Sequence, residues 1–136
     1  MSEVVAVSEA VSLAFHGMAL LASGGRMSAK EMAEAVRVSE AHLAKVFQRL
    51  AREGLVSSTR GPGGGFELAV PAGGITLYDV YVAVEGPPGE GGCLLHRESC
   101  PFGSCILGST LGDIKREFID YLKRATLEDL TRGEAG

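Results

Sequence analysis

With 136 residues, 46% of them hydrophobic, the chain has enough apolar material for one modest core and too little for two independent ones. The net charge of -4 argues against nucleic acid only as a global sum. From Arg26 to Arg60, seven basic residues (Arg26, Lys30, Arg37, Lys45, Arg49, Arg52, Arg60) stand against four acidic ones (Glu31, Glu34, Glu40, Glu53), a local balance of +3, and local charge governs phosphate attraction.

The stretch Val4 to Ala22 is apolar, but Ser8, Glu9, Ser12, His16 and Gly17 interrupt it, which predicts a buried or dimer-packed helix rather than a membrane span. His16 on that apolar face is expected to be a satisfied core residue, not a catalytic base. Ser28-Ala-Lys-Glu31 has the form of a capping box and predicts a short helix to about Val36. Ser39 is a second N-cap, followed by Leu43, Val46, Phe47 and Leu50 at i, i+3, i+4 and i+7. Two short helices joined by a tight turn, the second ended by Gly54 and carrying exposed His42, Lys45, Arg49 and Arg52, make a helix-turn-helix over 28–53. Two helices of an unrelated bundle would show much the same pattern, and the segment after Gly54 separates the two readings.

Leu55 to Thr59 and Phe66 to Val70 read as short strands around Arg60-Gly-Pro-Gly-Gly-Gly65, the wing of a winged helix over 55–70. A phosphate-cradling nucleotide loop would need a helix and a lysine after these glycines; a strand follows instead. A slim tip carrying Arg60 suits the minor groove. Thr76 caps a helix over 76–85, with Leu77, Val80, Tyr81 and Val84 facing the core, and Gly86-Pro-Pro-Gly89 ends it. The fold class is therefore mainly α with one small β-hairpin. A winged-helix unit over 1–86 is followed by a loop over 87–108 and by a long final helix from about Ser109 to Leu127. That helix carries a stripe of Leu111, Ile114, Phe118, Leu122 and Ala125, which a chain this small has little to pack on, so a second subunit is the economical partner and folding back on its own domain the alternative. Residues after Leu130 are expected to fray.

All three cysteines fall within thirteen residues, Cys93-Leu-Leu-His-Arg-Glu-Ser-Cys100-Pro-Phe-Gly-Ser-Cys105. An odd count leaves no complete set of intrachain disulfides, and no secretory leader pattern is present, so the thiols are expected to be reduced in a cytoplasm. They sit among glycines and prolines rather than among core residues. Soft thiolates suit zinc or iron-sulfur clusters, but spacings of six and four differ from the paired Cys-x-x-Cys usual for zinc. An iron-sulfur cluster is the favoured reading, with zinc, a thiol switch and structural cysteines as alternatives. No Ser-His-Asp or paired-carboxylate constellation calls for an enzyme. A small iron-sulfur redox carrier would gain nothing from a basic recognition helix and an arginine-tipped wing.

Taken in order, the capping-box helix, Ser39-Glu-Ala-His-Leu-Ala-Lys-Val-Phe-Gln-Arg-Leu50, Gly54-Leu-Val, Arg60-Gly-Pro-Gly-Gly-Gly65 and the three-cysteine loop resemble the Rrf-two family of bacterial winged-helix regulators. The resemblance covers roughly residues 4–127. It implies a cytosolic homodimer whose final helices cross at the dimer axis and whose winged helices read a palindromic promoter site in double-stranded DNA. It further implies a transcriptional regulator, a repressor in this reading, that senses redox state, nitric oxide, oxygen or cluster supply through a cluster on Cys93, Cys100 and Cys105. Family habit favours [2Fe-2S] and leaves [4Fe-4S] open. In relatives the fourth ligand is a histidine after the third cysteine or a carboxylate from the partner's first helix. Here no histidine follows Cys105, Glu9 falls close to the carboxylate position, and His96 lies inside the loop. The DNA-contacting set is Ala41, His42 and Lys45 for base edges, Arg60 with Gly61 and Gly63 at the wing, and Ser28, Ser39 and Arg49.

Overall fold

In the computed structural model, which describes residues 7–89 and 101–133, six α-helices and a β-hairpin follow in the order α1 (Glu9–Gly24), α2 (Ala29–Val36), α3 (Glu40–Arg52), β1 (Val56–Thr59), β2 (Gly65–Leu68), α4 (Leu77–Glu85), α5 (Thr110–Arg124) and α6 (Leu127–Thr131). A 3-10 turn, Ala72–Gly74, links β2 to α4. The mainly α winged-helix class expected from the sequence is the fold found. Among the described residues, no helix is long and apolar enough to cross a membrane.

The start of each helix is written into short polar side chains. Ser8 caps α1, and its hydroxyl accepts from the Val11 N–H at 3.1 Å. Ser28 and Glu31 close the capping box of α2, Ser39 caps α3, and Thr76 with Asp79 closes a second box at α4. Each cap satisfies backbone donors that a helix start otherwise leaves unpaired, worth about 1 kcal/mol apiece. Val11, Ala14, Met18 and Leu21 bury one face of α1 against α3, α4 and α6, so the first helix is the centre of its own domain's core. Leu43, Phe47 and Leu50 anchor α3 with no exposed surface, and Leu77, Val80 and Val84 anchor α4.

His16 departs from the core position expected of it. It is exposed, and its Nδ1 lies 2.7 Å from the Ser12 carbonyl one turn earlier, because the buried stripe of α1 passes through Gly17 and Met18 and leaves residue 16 outside.

The end of the chain also differs from the single final helix expected. The helix breaks at Ala125, where Thr126 and Asp129 form a third capping box that starts α6. The chain then returns to the winged helix. The Leu77 N–H donates to the Ala125 carbonyl at 2.9 Å and the Leu127 N–H to the Ile75 carbonyl at 3.0 Å, an antiparallel bridge centred on Thr76 and Thr126. Leu122, Ala125 and Leu127 are buried in the same core as α1. Backbone hydrogen bonds extend past Leu130, the Arg132 N–H donating to the Glu128 carbonyl and the Gly133 N–H to the Leu130 carbonyl, both at 3.2 Å.

Candidate nucleic-acid interface and cysteine segment

The recognition helix α3 is held from three sides by one buried aromatic ring. Phe47 packs over Gly17 of α1, where a Cβ would stand 2.5 Å from the ring, and tilts against Phe66 of β2 with centroids 5.5 Å apart. Met32 of α2 borders the same spot. With the apolar face fixed in this way, Ala41, His42, Lys45, Gln48 and Arg52 lie exposed along α3. His42 and Lys45 border a shallow groove with Glu9, Ala10, Leu13 and Val46. The first turn of α3 also presents Glu40, and the first residue of α1 presents Glu9, whose Oε1 lies 3.2 Å from His42 Nδ1.

Ser28 and Ser39 use their hydroxyls as N-caps, accepting from Glu31 at 3.0 Å and His42 at 3.3 Å. A hydroxyl that accepts keeps its own hydrogen to donate, so the cap does not exhaust it as a phosphate contact. Arg49 has a duty the sequence did not announce. Its Nε donates to the Ala83 carbonyl at 3.0 Å, satisfying one of the last carbonyls of α4 and tying the recognition helix to it.

The wing is a two-stranded antiparallel hairpin in register Val56 with Leu68 and Thr59 with Gly65. Its tip closes with the Gly64 N–H on the Gly61 carbonyl at 2.9 Å, and Gly61 and Gly63 take φ of 88° and 75°, values that side-chain-bearing residues rarely adopt. At Gly65 a Cβ would stand 2.5 Å from the Met27 carbonyl oxygen, because Met27 and Phe66 exchange backbone hydrogen bonds of 3.0 and 2.8 Å. Glycine there is what lets the wing dock on the chain entering α2. Arg26 braces the stem with Nη2 2.8 Å from Glu67 Oε1. Forty-one residues separate the pair, and no local spacing could have revealed it. Arg60, Gly61 and Gly63 are exposed at the tip.

Of the cysteine segment, Cys93, Cys100 and His96 lie outside the described residues. Cys105 is exposed, in no disulfide, and its carbonyl accepts from the Gly108 N–H at 2.9 Å in a tight turn just before α5. Among the described residues no three His, Cys, Asp or Glu side chains gather as a metal site. An exposed, unpaired thiol in a turn, with two more thiols within thirteen residues of sequence, is a donor set that fits a soft metal or an iron-sulfur cluster. Before and after it in the chain, Phe102, Ile106 and Ile114 are 63%, 78% and 47% exposed.

A helix-turn-helix with a glycine-tipped wing and an arginine at that tip defines a winged-helix DNA-binding protein. The chain belongs to the Rrf2 (Rrf-two) family, described as iron-dependent transcriptional regulators, whose model matches residues 7–133. It is 34% identical over 118 residues to the HTH-type transcriptional regulator IscR of Pectobacterium atrosepticum, covering 86% of this chain and 71% of that protein. The solved structure of T. potens IscR is 28% identical with a TM-score of 0.74, covering 96% of this chain and 88% of the other. CymR, the global cysteine regulator of B. subtilis, is also 28% identical, with a TM-score of 0.70 and coverage of 94% and 97%.

Proposed function

We propose that this transcriptional regulator is a cytoplasmic homodimer that represses from a palindromic operator, and that an iron-sulfur cluster held by Cys93, Cys100 and Cys105 sets its affinity for DNA. The observation that carries the reading is the placement of an exposed, unpaired Cys105 between α4 and α5, next to a winged helix whose reading face is open. Ala41, His42 and Lys45 would meet base edges, Arg60 the minor groove, and Ser28 and Ser39 the phosphates. The stripe on α5 supports the dimer: Leu122 at its end is 2% exposed in the chain's own core, while Ile114 two turns earlier is 47% exposed.

The cysteines would supply soft ligands, and the cluster, when bound, supplies redox chemistry and a reactive iron position. [2Fe-2S] is the favoured form and [4Fe-4S] the alternative. His96 or Glu9 of the partner subunit would be the fourth donor, and Glu9 would have to leave His42 to serve. This chain's own part is mechanical. The cysteine segment joins the end of α4 to the start of α5, so its organisation bears on both, and through Arg49 and Ala83 α4 bears on the recognition helix. A near-complete swing in DNA occupancy needs about 5.5 kcal/mol of differential affinity between the two states.

The likeness to CymR, whose Staphylococcus aureus form is also solved oxidized, favours a second reading in which the same thiols switch by oxidation; zinc on those thiols is the further alternative. Anaerobic purification followed by an absorption spectrum with iron and acid-labile sulfide assays tests the first. Brown protein with sulfide supports it, and colourless protein that binds zinc stoichiometrically or only forms disulfides overturns it.

A further inference from the structure

We propose that Glu9 is a positioning residue for base readout, fixing the tautomer and orientation of His42 at the start of the recognition helix; the proposal rests on the DNA-reading role of α3 argued above. Glu9 is the first residue of α1, and Ser8 before it is anchored twice, by capping α1 and by a hydroxyl hydrogen bond to the Glu85 carboxylate at the end of α4. The Glu9 backbone is therefore held at a fixed place beside α3. Its Oε1 lies 3.2 Å from His42 Nδ1. A carboxylate has only acceptor sites to offer, so Nδ1 must carry the hydrogen of this bond, and Nε2 is left as the nitrogen available to a partner.

Both side chains are well exposed, His42 at 66% and Glu9 at 72%, so the pair is worth little to stability. Its value lies in orientation. A neutral imidazole held this way presents Nε2 as an acceptor, which matches the amino groups of adenine or cytosine in the major groove. The opposite tautomer would donate at Nε2 and match guanine. The same carboxylate places negative charge beside Lys45, with which it shares the groove, and so opposes phosphate contact by any sequence. Glu9 is thereby expected to lower indiscriminate affinity while sharpening one base preference.

The test uses the full chain, in whichever form, cluster-loaded or iron-free, binds duplex more tightly, to select from a library of randomised DNA duplexes. Parent, E9A, E9Q and H42A are compared, because a glutamine oxygen can still accept from Nδ1 while the charge is gone. The expected result is that H42A and E9A lose preference at the same base pair, by roughly fivefold or more, and that E9Q retains it. Both Glu9 variants should bind a non-cognate duplex more tightly than the parent. If H42A loses the preference and E9A keeps it, Glu9 does not position the ring and the inference is overturned. If H42A itself keeps the parent's preference, the assignment of His42 as a base reader fails, and the inference with it. Because Glu9 is also a candidate cluster donor, parent and E9A are compared in the Cys105→Ala background as well, where no cluster is expected. The same loss of preference there supports the Glu9–His42 contact, and a loss confined to cluster-loaded protein overturns the inference.

Discussion

Gly17 and Phe47 are in such close contact that no side chain fits between α1 and the recognition helix, a Cβ on Gly17 standing 2.5 Å from the aromatic ring. The ring cannot yield easily, because Phe47 is fully buried and lies against Phe66. Gly17→Ala therefore sets two effects against each other. Overpacking costs about 1 to 3 kcal/mol, and replacing a mid-helix glycine returns about 1 kcal/mol of helix propensity. The net expectation is a loss of about 1 kcal/mol, a fall of about 3 to 5 °C in Tm for a domain of this size. Because the ring belongs to α3, DNA affinity should fall further than stability alone explains. A Gly17→Ala protein as stable as the parent would show that the helix pair has room to move apart.

Lys45→Ala and Arg49→Ala should separate into different phenotypes, although both residues are basic and neighbours on α3. Lys45 borders the open groove beside His42, and its loss is expected to weaken operator binding by about 1 to 3 kcal/mol with a change in base preference. Arg49 holds the Ala83 carbonyl, so Arg49→Ala should lower stability by about 1 kcal/mol and weaken all DNA sequences alike. Arg60→Ala at the wing should act through flanking groove width. Fluorescence anisotropy against matched and mismatched duplexes, alongside thermal melts, reads all three. Equal behaviour of the Lys45 and Arg49 variants would remove the distinction.

The parts of the fold that could be read in the sequence are those set by neighbours in the chain. Ser28 with Glu31, the Leu43, Phe47 and Leu50 face, and the glycines of the wing all act within a few residues, and each was found where its spacing placed it. The break between α5 and α6 had a local sign as well, Thr126-Leu-Glu-Asp129, but an apolar stripe running through Ala125 hid it. What the sequence could not supply were pairings across the fold. Arg26 with Glu67, Glu9 with His42 and Arg49 with Ala83 join residues 33 to 41 positions apart, and only packing brings them together. The exposure of His16 was missed for a related reason, since an apolar segment does not tell which side of its helix meets the core. Of the proposed ligands, only Cys105 and Glu9 fall among the described residues.

Arg37 should tolerate glycine better than any other residue. It forms the turn of the helix-turn-helix in the left-handed conformation, φ 57° and ψ 54°, and is the only described residue other than glycine with positive φ. That conformation costs a side-chain-bearing residue about 1 to 2 kcal/mol, against which glycine loses about 0.4 to 1 kcal/mol through the entropy of its unfolded chain. Arg37→Gly is thus expected to match or exceed the parent's stability by up to about 1 kcal/mol, and Arg37→Val, branched at Cβ, to fall below it by about 1 kcal/mol or more. Chemical denaturation of the two variants checks the order, and a valine variant more stable than the glycine one would contradict it.

The cysteine substitutions test whether the cluster is an addition to the fold or part of it. The described core draws on all six helices and both wing strands and contains no cysteine, and Cys105 is exposed outside it. Cys93→Ala, Cys100→Ala and Cys105→Ala are each expected to abolish the visible absorption and acid-labile sulfide of anaerobically prepared protein while leaving its helical circular dichroism and its dimer intact. Loss of colour together with loss of fold would instead make the cysteine segment a structural element. DNA binding separates the two kinds of switch. If a cluster sets operator affinity, the three variants should share one affinity, equal to that of the iron-free parent, because each removes the same switch. If the thiols act by oxidation instead, reduced variants and reduced parent should bind alike, and only the parent should respond to an oxidant.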